Sequence, residues 1–207
     1  MLTIYHARFT RGFRAIWVCE ELAVPYQVVP VDFSPVYRAT PEWRAINPVG
    51  KVPAMRDGDF TMYESGAMMQ HIVDAYGNGR LQPPIGSHSH AHYLQWCWFA
   101  ESTLSRPLGE ITNHRREFPE PIEACMEEMR ARARLCVQAL SDHLLERTYM
   151  VDETFSGADI MVTHSMRGFV AHCPDDVLPD SMQRYLALVQ ARPAFQATVA
   201  ADDAATV

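Results

Sequence analysis

The sequence predicts an α+β domain built on a mixed four-stranded sheet, followed by an all-helical domain. Three observations carry the prediction. Residues 2–33 read as strand, helix, strand, and residues 53–76 as a β-hairpin running into a helix. Beyond residue 90 the apolar spacing is helical throughout. The boundary lies in a stretch holding Gly77, Gly79, Pro83, Pro84 and Gly86, the one credible linker. The expected division is therefore 1–77 for the first domain, 78–89 for the linker and 90–207 for the helical domain.

Each element has a local reason. Residues 2–5, Leu-Thr-Ile-Tyr, are short and β-prone. Residues 11–23 space Phe13, Ile16, Trp17 and Leu22 along one helical face, and Val24-Pro25 ends the run. Residues 26–33 read as a second strand, in which Pro30 suits an edge position or a bulge. A strand–helix–strand of this length is expected to be a right-handed parallel unit. The segment Pro53-Ala54-Met55-Arg56-Asp57, the turn at Asp57-Gly58-Asp59 and the segment Phe60-Thr61-Met62-Tyr63 then form an antiparallel hairpin. The helix over 65–76 carries Met68, Met69, Ile72 and Val73 and is closed by Gly77.

Four longer helical runs and a short last one follow. They cover residues 91 to about 112, 119–147 with prolines suited to a first turn, a run opened by Ser156-Gly157-Ala158-Asp159, and 182–192; the last begins at Pro193. Ser156 and Asp159 have the spacing of a capping box, a role in folding and not in catalysis.

Composition narrows the function classes. The chain has 207 residues, 48% apolar and 21% charged, which is ordinary for a soluble globular protein. A net charge of −7 argues against a nucleic-acid binder, which needs a basic face. No apolar run approaches the ~20 residues that span a membrane, and the first residues read as a strand instead of a leader, so the expected address is the cytoplasm. Five cysteines are dispersed without C-x-x-C spacing, so neither a dithiol pair nor a zinc site is expected. Of His88, His90 and His92 only the first and last share a helical face, and nothing nearby completes a metal-ligand set.

Residues 47–65 are the most informative stretch for function. A loop, Asn47-Pro48-Val49-Gly50-Lys51-Val52, delivers a Val-Pro dipeptide into a strand, and the hairpin ends in Glu64-Ser65 at the mouth of a helix. Exposed backbone hydrogen-bonding groups beside a helix N-terminus suit capture of a small anionic peptide. Ser65 stands where a helix N-cap is expected, which is also its ordinary structural role.

With these segments in order, the chain resembles the cytosolic glutathione transferase family, in the tone of its bacterial members. The resemblance spans essentially the whole length. It rests on Leu2-Thr3-Ile4-Tyr5-His6-Ala7 through Arg14-Ala15-Ile16-Trp17 and Glu20-Glu21-Leu22, and on Asn47-Pro48-Val49-Gly50-Lys51-Val52-Pro53 with Glu64-Ser65. It rests also on Phe155-Ser156-Gly157-Ala158-Asp159-Ile160 and Ala191-Arg192-Pro193-Ala194-Phe195. It implies a thioredoxin-like first domain, a cis Val52–Pro53 bond and a homodimer in a detoxifying role. The implied ligand is glutathione as co-substrate, with no metal. Lys51, Val52, Pro53, Glu64 and Ser65 are then the glutathione-binding residues. Val52 would pair with the peptide backbone, Ser65 would take the γ-glutamyl carboxylate, Glu64 would face the ammonium, and Lys51 the glycine carboxylate.

The reactive sulfur belongs to the ligand, and catalysis means holding it as a thiolate near neutral pH. Thr10, where relatives often carry Ser, is the expected hydroxyl donor, with N-cap of the first helix as its bland alternative. Arg11 or Arg14 would add positive potential, or else lie on a solvated helix face. Related chains often have Pro at the place of Arg8 and Gly at that of Asp152; this chain departs at both positions. The loop lacks Cys, which argues against mixed-disulfide chemistry. A small hydrophobic electrophile would lie between Phe9 and the fourth helix, near Ser102, Ser105 and Arg106, with Trp96 and Phe99 also nearby. The implied activity is conjugation of glutathione to that electrophile, or glutathione-dependent peroxide or disulfide reduction. The alternative is a non-catalytic binding or structural module on the same fold.

Overall fold

The computed structural model describes residues 1–207, which fall into two compact units, Met1–Leu81 with Gln190–Val207 and Gln82–Val189. The last helix of the chain is thus a member of the first unit.

That unit is built on a four-stranded sheet of order β2-β1-β3-β4, with β1 Leu2–His6, β2 Tyr26–Pro30, β3 Ala54–Asp57 and β4 Phe60–Tyr63. β1 runs parallel to β2 and antiparallel to β3, and β3 is antiparallel to β4. The sheet is therefore the mixed, thioredoxin-like one expected. Pro30 lies on an outer strand, where its missing N–H costs no interior ladder bond.

Helix α1, Phe13–Leu22, is shorter at its N-terminus than the apolar spacing predicts, because Arg11 and Gly12 belong to a turn. Its apolar side is buried without remainder: Phe13, Ile16, Trp17 and Val18 show no exposure. Two short helices, α2 Pro35–Arg38 and α3 Pro41–Ile46, each start on a proline and are capped by Ser34 and Thr40, whose hydroxyls accept from the backbone N–H groups of Tyr37 and Trp43. They bring Trp43 onto Val31 and Ala54 in a small core that also packs Tyr5, Tyr37, Ile46 and Val52. Helix α4, Ser65–Tyr76, buries Met68, Met69, Ile72 and Val73.

In the other unit, α5 His88–Trp98 continues through a π-helical segment Phe99–Leu104 into α6 Ser105–Glu117, where the periodicity predicts one helix. Pro107 accounts for part of the irregularity. It has no N–H for the carbonyl of Thr103 one turn back, and that carbonyl accepts from the Cys136 thiol at 3.8 Å instead. Next come α7 Glu123–His143, α8 Gly157–His172 and α9 Asp180–Gln190. The prolines before α7 lie outside the helix and not in its first turn. Ser156 and Asp159 form the expected capping box, with Asp159 Oδ2 accepting from the Ser156 N–H at 2.8 Å. Asp159 is wholly buried; it also accepts from the Met150 N–H at 2.9 Å and the Tyr185 hydroxyl at 3.1 Å. Desolvation pushes its carboxyl up to about 6.

Helix α10, Pro193–Ala204, belongs to the sheet-containing unit. Phe195 packs edge-on against Phe13 and Trp17 at centroid separations of 5.6 and 4.9 Å. Arg192 forks onto both carboxylate oxygens of Glu21 at 2.7 Å. The motif Ala191-Arg192-Pro193-Ala194-Phe195 is thereby explained: each of its larger side chains ties α10 to α1. No helix is long and apolar enough to cross a membrane.

Candidate functional site

The loop before β3 is held from within. Buried Asn47 donates from Nδ2 to the Lys51 carbonyl at 2.9 Å and accepts the Val49 N–H at its Oδ1 at 3.2 Å. Gly50 has φ +61, and a Cβ there would stand 2.5 Å from the Arg38 carbonyl oxygen. Only glycine meets both conditions. Arg44 donates from Nη1 to the Pro48 carbonyl at 2.8 Å, closing the loop from its outer side. The Val52–Pro53 bond is cis. Lys51 is exposed, Val52 half-buried and Pro53 buried.

Glu64 and Ser65 do not divide their roles as the sequence suggests. Glu64, not Ser65, is the N-cap of α4; it has φ +73 and makes no side-chain cap bond. A non-glycine residue at that φ is held in place by its surroundings at a cost of about 1–3 kcal/mol. Ser65 is the first helical residue, only 4% exposed. Its hydroxyl is not a cap; it accepts from Arg14 Nη1 at 3.0 Å. Arg14 itself has no exposure, so the solvated-face alternative for this side chain is excluded. A buried guanidinium therefore stands behind a hydroxyl at the N-terminus of a helix, and both features favour an anion. Buried residues of this kind leave no periodic signal. The one available hint is Arg14 lying within the otherwise apolar run Phe13-Arg14-Ala15-Ile16-Trp17.

The loop after β1 holds the expected thiolate donor. Thr10 is half-buried but is not the N-cap of α1, which starts at Phe13. It closes the turn over residues 7–10 twice, with its N–H to the Ala7 carbonyl at 3.2 Å and its hydroxyl to the same oxygen at 2.7 Å. Thr10 Oγ1 also lies 3.3 Å from His6 Nδ1. Phe9 is 69% exposed with φ +63, and the Arg8 guanidinium lies over its ring at 4.3 Å. Arg11 is half-buried at the start of the turn leading into α1. His6, which sequence reasoning gave no role, is fully buried beneath this loop.

The other expected pocket residues lie in the helical unit and differ among themselves. Ser105 is buried, with Oγ 2.9 Å from Ser165 Oγ, and serves packing there. Ser102 and Arg106 are exposed. They line an open groove of about 470 Å³ with Glu110, Arg132, Leu135 and Cys136. Trp96, 7% exposed, packs on Phe99 and His143.

Residues 1–74 match the family model described as glutathione S-transferase, N-terminal domain. Among relatives, glutathione S-transferase 3 of Schizosaccharomyces pombe is 26% identical over 94% of this chain and 85% of that protein. The glutathione S-transferase-like protein gedE of Aspergillus terreus is 32% identical over 55% of this chain, and the match spans about half, 51%, of that relative. The crystal structure of the glutathione transferase URE2P8 from Phanerochaete chrysosporium with oxidized glutathione superposes with a TM-score of 0.89. It is 21% identical, and 98% of this chain and 95% of that one are covered.

Proposed function

We propose that this chain, whose residues 1–74 match the glutathione S-transferase N-terminal domain, is a member of that family that binds glutathione, holds its sulfur as a thiolate and adds it to a small hydrophobic electrophile. The observation that carries the reading is the Arg14–Ser65 pair at the start of α4. A carboxylate arriving there meets a hydroxyl, the free end of a helix and a buried positive charge together, and desolvation strengthens each attraction. In this reading Ser65 takes the γ-glutamyl carboxylate, Glu64 the ammonium, Lys51 the glycine carboxylate, and Val52 with Pro53 the peptide backbone.

The sulfur falls to Thr10, assisted by Arg11. A helix terminus is worth about 0.3–1 kcal/mol to an anion, up to ~2 when partly buried. At about 1.4 kcal/mol per pKa unit this moves a thiol by roughly one unit, so a hydroxyl hydrogen bond is needed as well. Phe9, exposed beside Thr10, is the apolar side chain offered to the electrophile. The working protein would be a cytoplasmic homodimer of C2 symmetry. Peroxide or disulfide reduction by the same thiolate is the neighbouring chemistry.

One observation favours a second reading, a glutathione-binding module without turnover. The Thr10 hydroxyl has a single proton, and it is directed to Ala7 at 2.7 Å. To serve a thiolate it must exchange that acceptor. Retention on immobilised glutathione, followed by a conjugation assay with a chlorodinitrobenzene, separates the two. Retention with turnover supports the transferase, retention without turnover the module, and failure to bind overturns both.

A further inference from the structure

We infer that Asp202, on the last helix of the chain, is a positioning residue for the loop that carries Thr10. The inference rests on the assignment of Thr10 to the ligand sulfur. Asp202 is 1% exposed and His6 not at all, so two groups that prefer water are buried against each other 196 residues apart in sequence. Asp202 Oδ1 accepts twice, from His6 Nε2 at 2.8 Å and from the Phe9 N–H at 3.0 Å.

Both contacts act on the loop. Phe9 is left-handed at φ +63, a conformation that a bulky side chain does not adopt unaided. Asp202 holds its N–H and so selects that conformation from outside the loop. The contact between Asp202 Oδ1 and His6 Nε2 orients the ring. Nδ1 then points to Thr10 Oγ1 at 3.3 Å.

Gly12 makes room for the arrangement: a Cβ there would stand 2.3 Å from His6 Nδ1, although φ at Gly12 is ordinary. The Thr10 hydroxyl thus sits between the Ala7 carbonyl and an imidazole nitrogen whose direction Asp202 sets. Neither Asp202 nor His6 reaches the surface where the ligand binds; each works through Thr10 and Phe9.

The test uses the full chain with Asp202→Ala and Asp202→Asn, the second keeping the side chain's size and one acceptor oxygen. Amide hydrogen exchange over residues 7–12 is read without ligand. Glutathione affinity, turnover with a chlorodinitrobenzene and the ultraviolet thiolate absorbance of bound glutathione are read with it. Asp202→Ala is expected to speed loop exchange and to lower turnover and thiolate signal by about 10- to 100-fold, the effect of displacing a reacting group by an ångström. Affinity is expected to hold, because Ser65 and Arg14 are untouched. Should Asp202→Ala fail to fold, Asp202→Asn is expected to show the same changes in smaller measure. Loop exchange and turnover unchanged in a folded variant would overturn the inference, as would a fall in affinity alone. If the wild type does not bind glutathione, the transferase reading fails; faster loop exchange in the variants still supports the positioning role, and unchanged exchange still overturns it.

Discussion

Arg14 Nη1 donates to Ser65 Oγ at 3.0 Å across 51 residues of sequence, with both side chains buried. The bond joins the first turn of α1 to the first residue of α4, and it changes what the serine is. A capping serine spends its oxygen on its own helix. Here the helix is entered through Glu64 at φ +73, and the Ser65 hydroxyl accepts from a buried guanidinium instead.

Ser65→Ala removes the acceptor that Arg14 uses. Denying a buried donor its partner costs about 1–3 kcal/mol, so the urea midpoint is expected to fall. Glutathione affinity should drop about tenfold or more, since hydrogen bonds to charged groups are worth about 1.5–3 kcal/mol. Calorimetric titration with glutathione checks the second effect, and Ser65→Thr should recover part of both.

Thr10→Ala removes the proposed thiolate donor and leaves the carboxylate site intact. Turnover is expected to decrease about tenfold or more while retention on immobilised glutathione is kept. Unchanged turnover would remove Thr10 from the chemistry and move attention to Arg11.

Gly50→Ala places a Cβ 2.5 Å from the Arg38 carbonyl oxygen at a φ of +61. Forcing a side chain into that region costs about 1–3 kcal/mol, and relieving the clash displaces the loop that leads into Val52. Lower stability and weaker glutathione binding are expected together in one variant. A denaturant titration and a binding isotherm test the pair; a loss of only one would mean that the loop and the ligand site are uncoupled.

Asp159 gives a pH signature. Desolvation raises its carboxyl from an ordinary 3.8 to about 6. An acid whose folded pKa exceeds its unfolded value holds its proton more tightly when folded. Its contribution is therefore fully present below 3.8 and is lost as pH rises through about 6. Two pKa units correspond to about 3 kcal/mol. The unfolding free energy of the wild type minus that of Asp159→Asn should accordingly be larger at pH 4 than at pH 7. A constant difference would mean that Asp159 stays ionised throughout.

Local patterns carried most of the architecture. The hairpin at 54–63, the helix at 65–76, Pro30 on an outer strand and the capping box at Ser156 all depend on residues within a few positions of one another, and so they could be read before any fold was known. The misplaced boundaries lie where tertiary demands intervene. The turn before α1 takes Arg11 and Gly12 out of the helix, and a Cβ at Gly12 would stand 2.3 Å from His6 Nδ1. The π-helical stretch at 99–104 interrupts what periodicity reads as one helix, and Pro107 frees a carbonyl that Cys136, on another helix, uses.

What the sequence determined by itself is the order of elements, together with the expectation that residues 47–65 form the stretch to catch a peptide ligand, because helix and strand periods and turn residues act over short range. What the tertiary structure alone decided is which polar groups support that stretch. Arg14 finds Ser65 51 residues away, and His6 finds Asp202 196 residues away. A buried polar side chain must have a partner, but chain connectivity does not say which. Packing α1 against α4 and α10 supplies the answer, and with it the difference between a serine that caps a helix and one that accepts from a buried guanidinium.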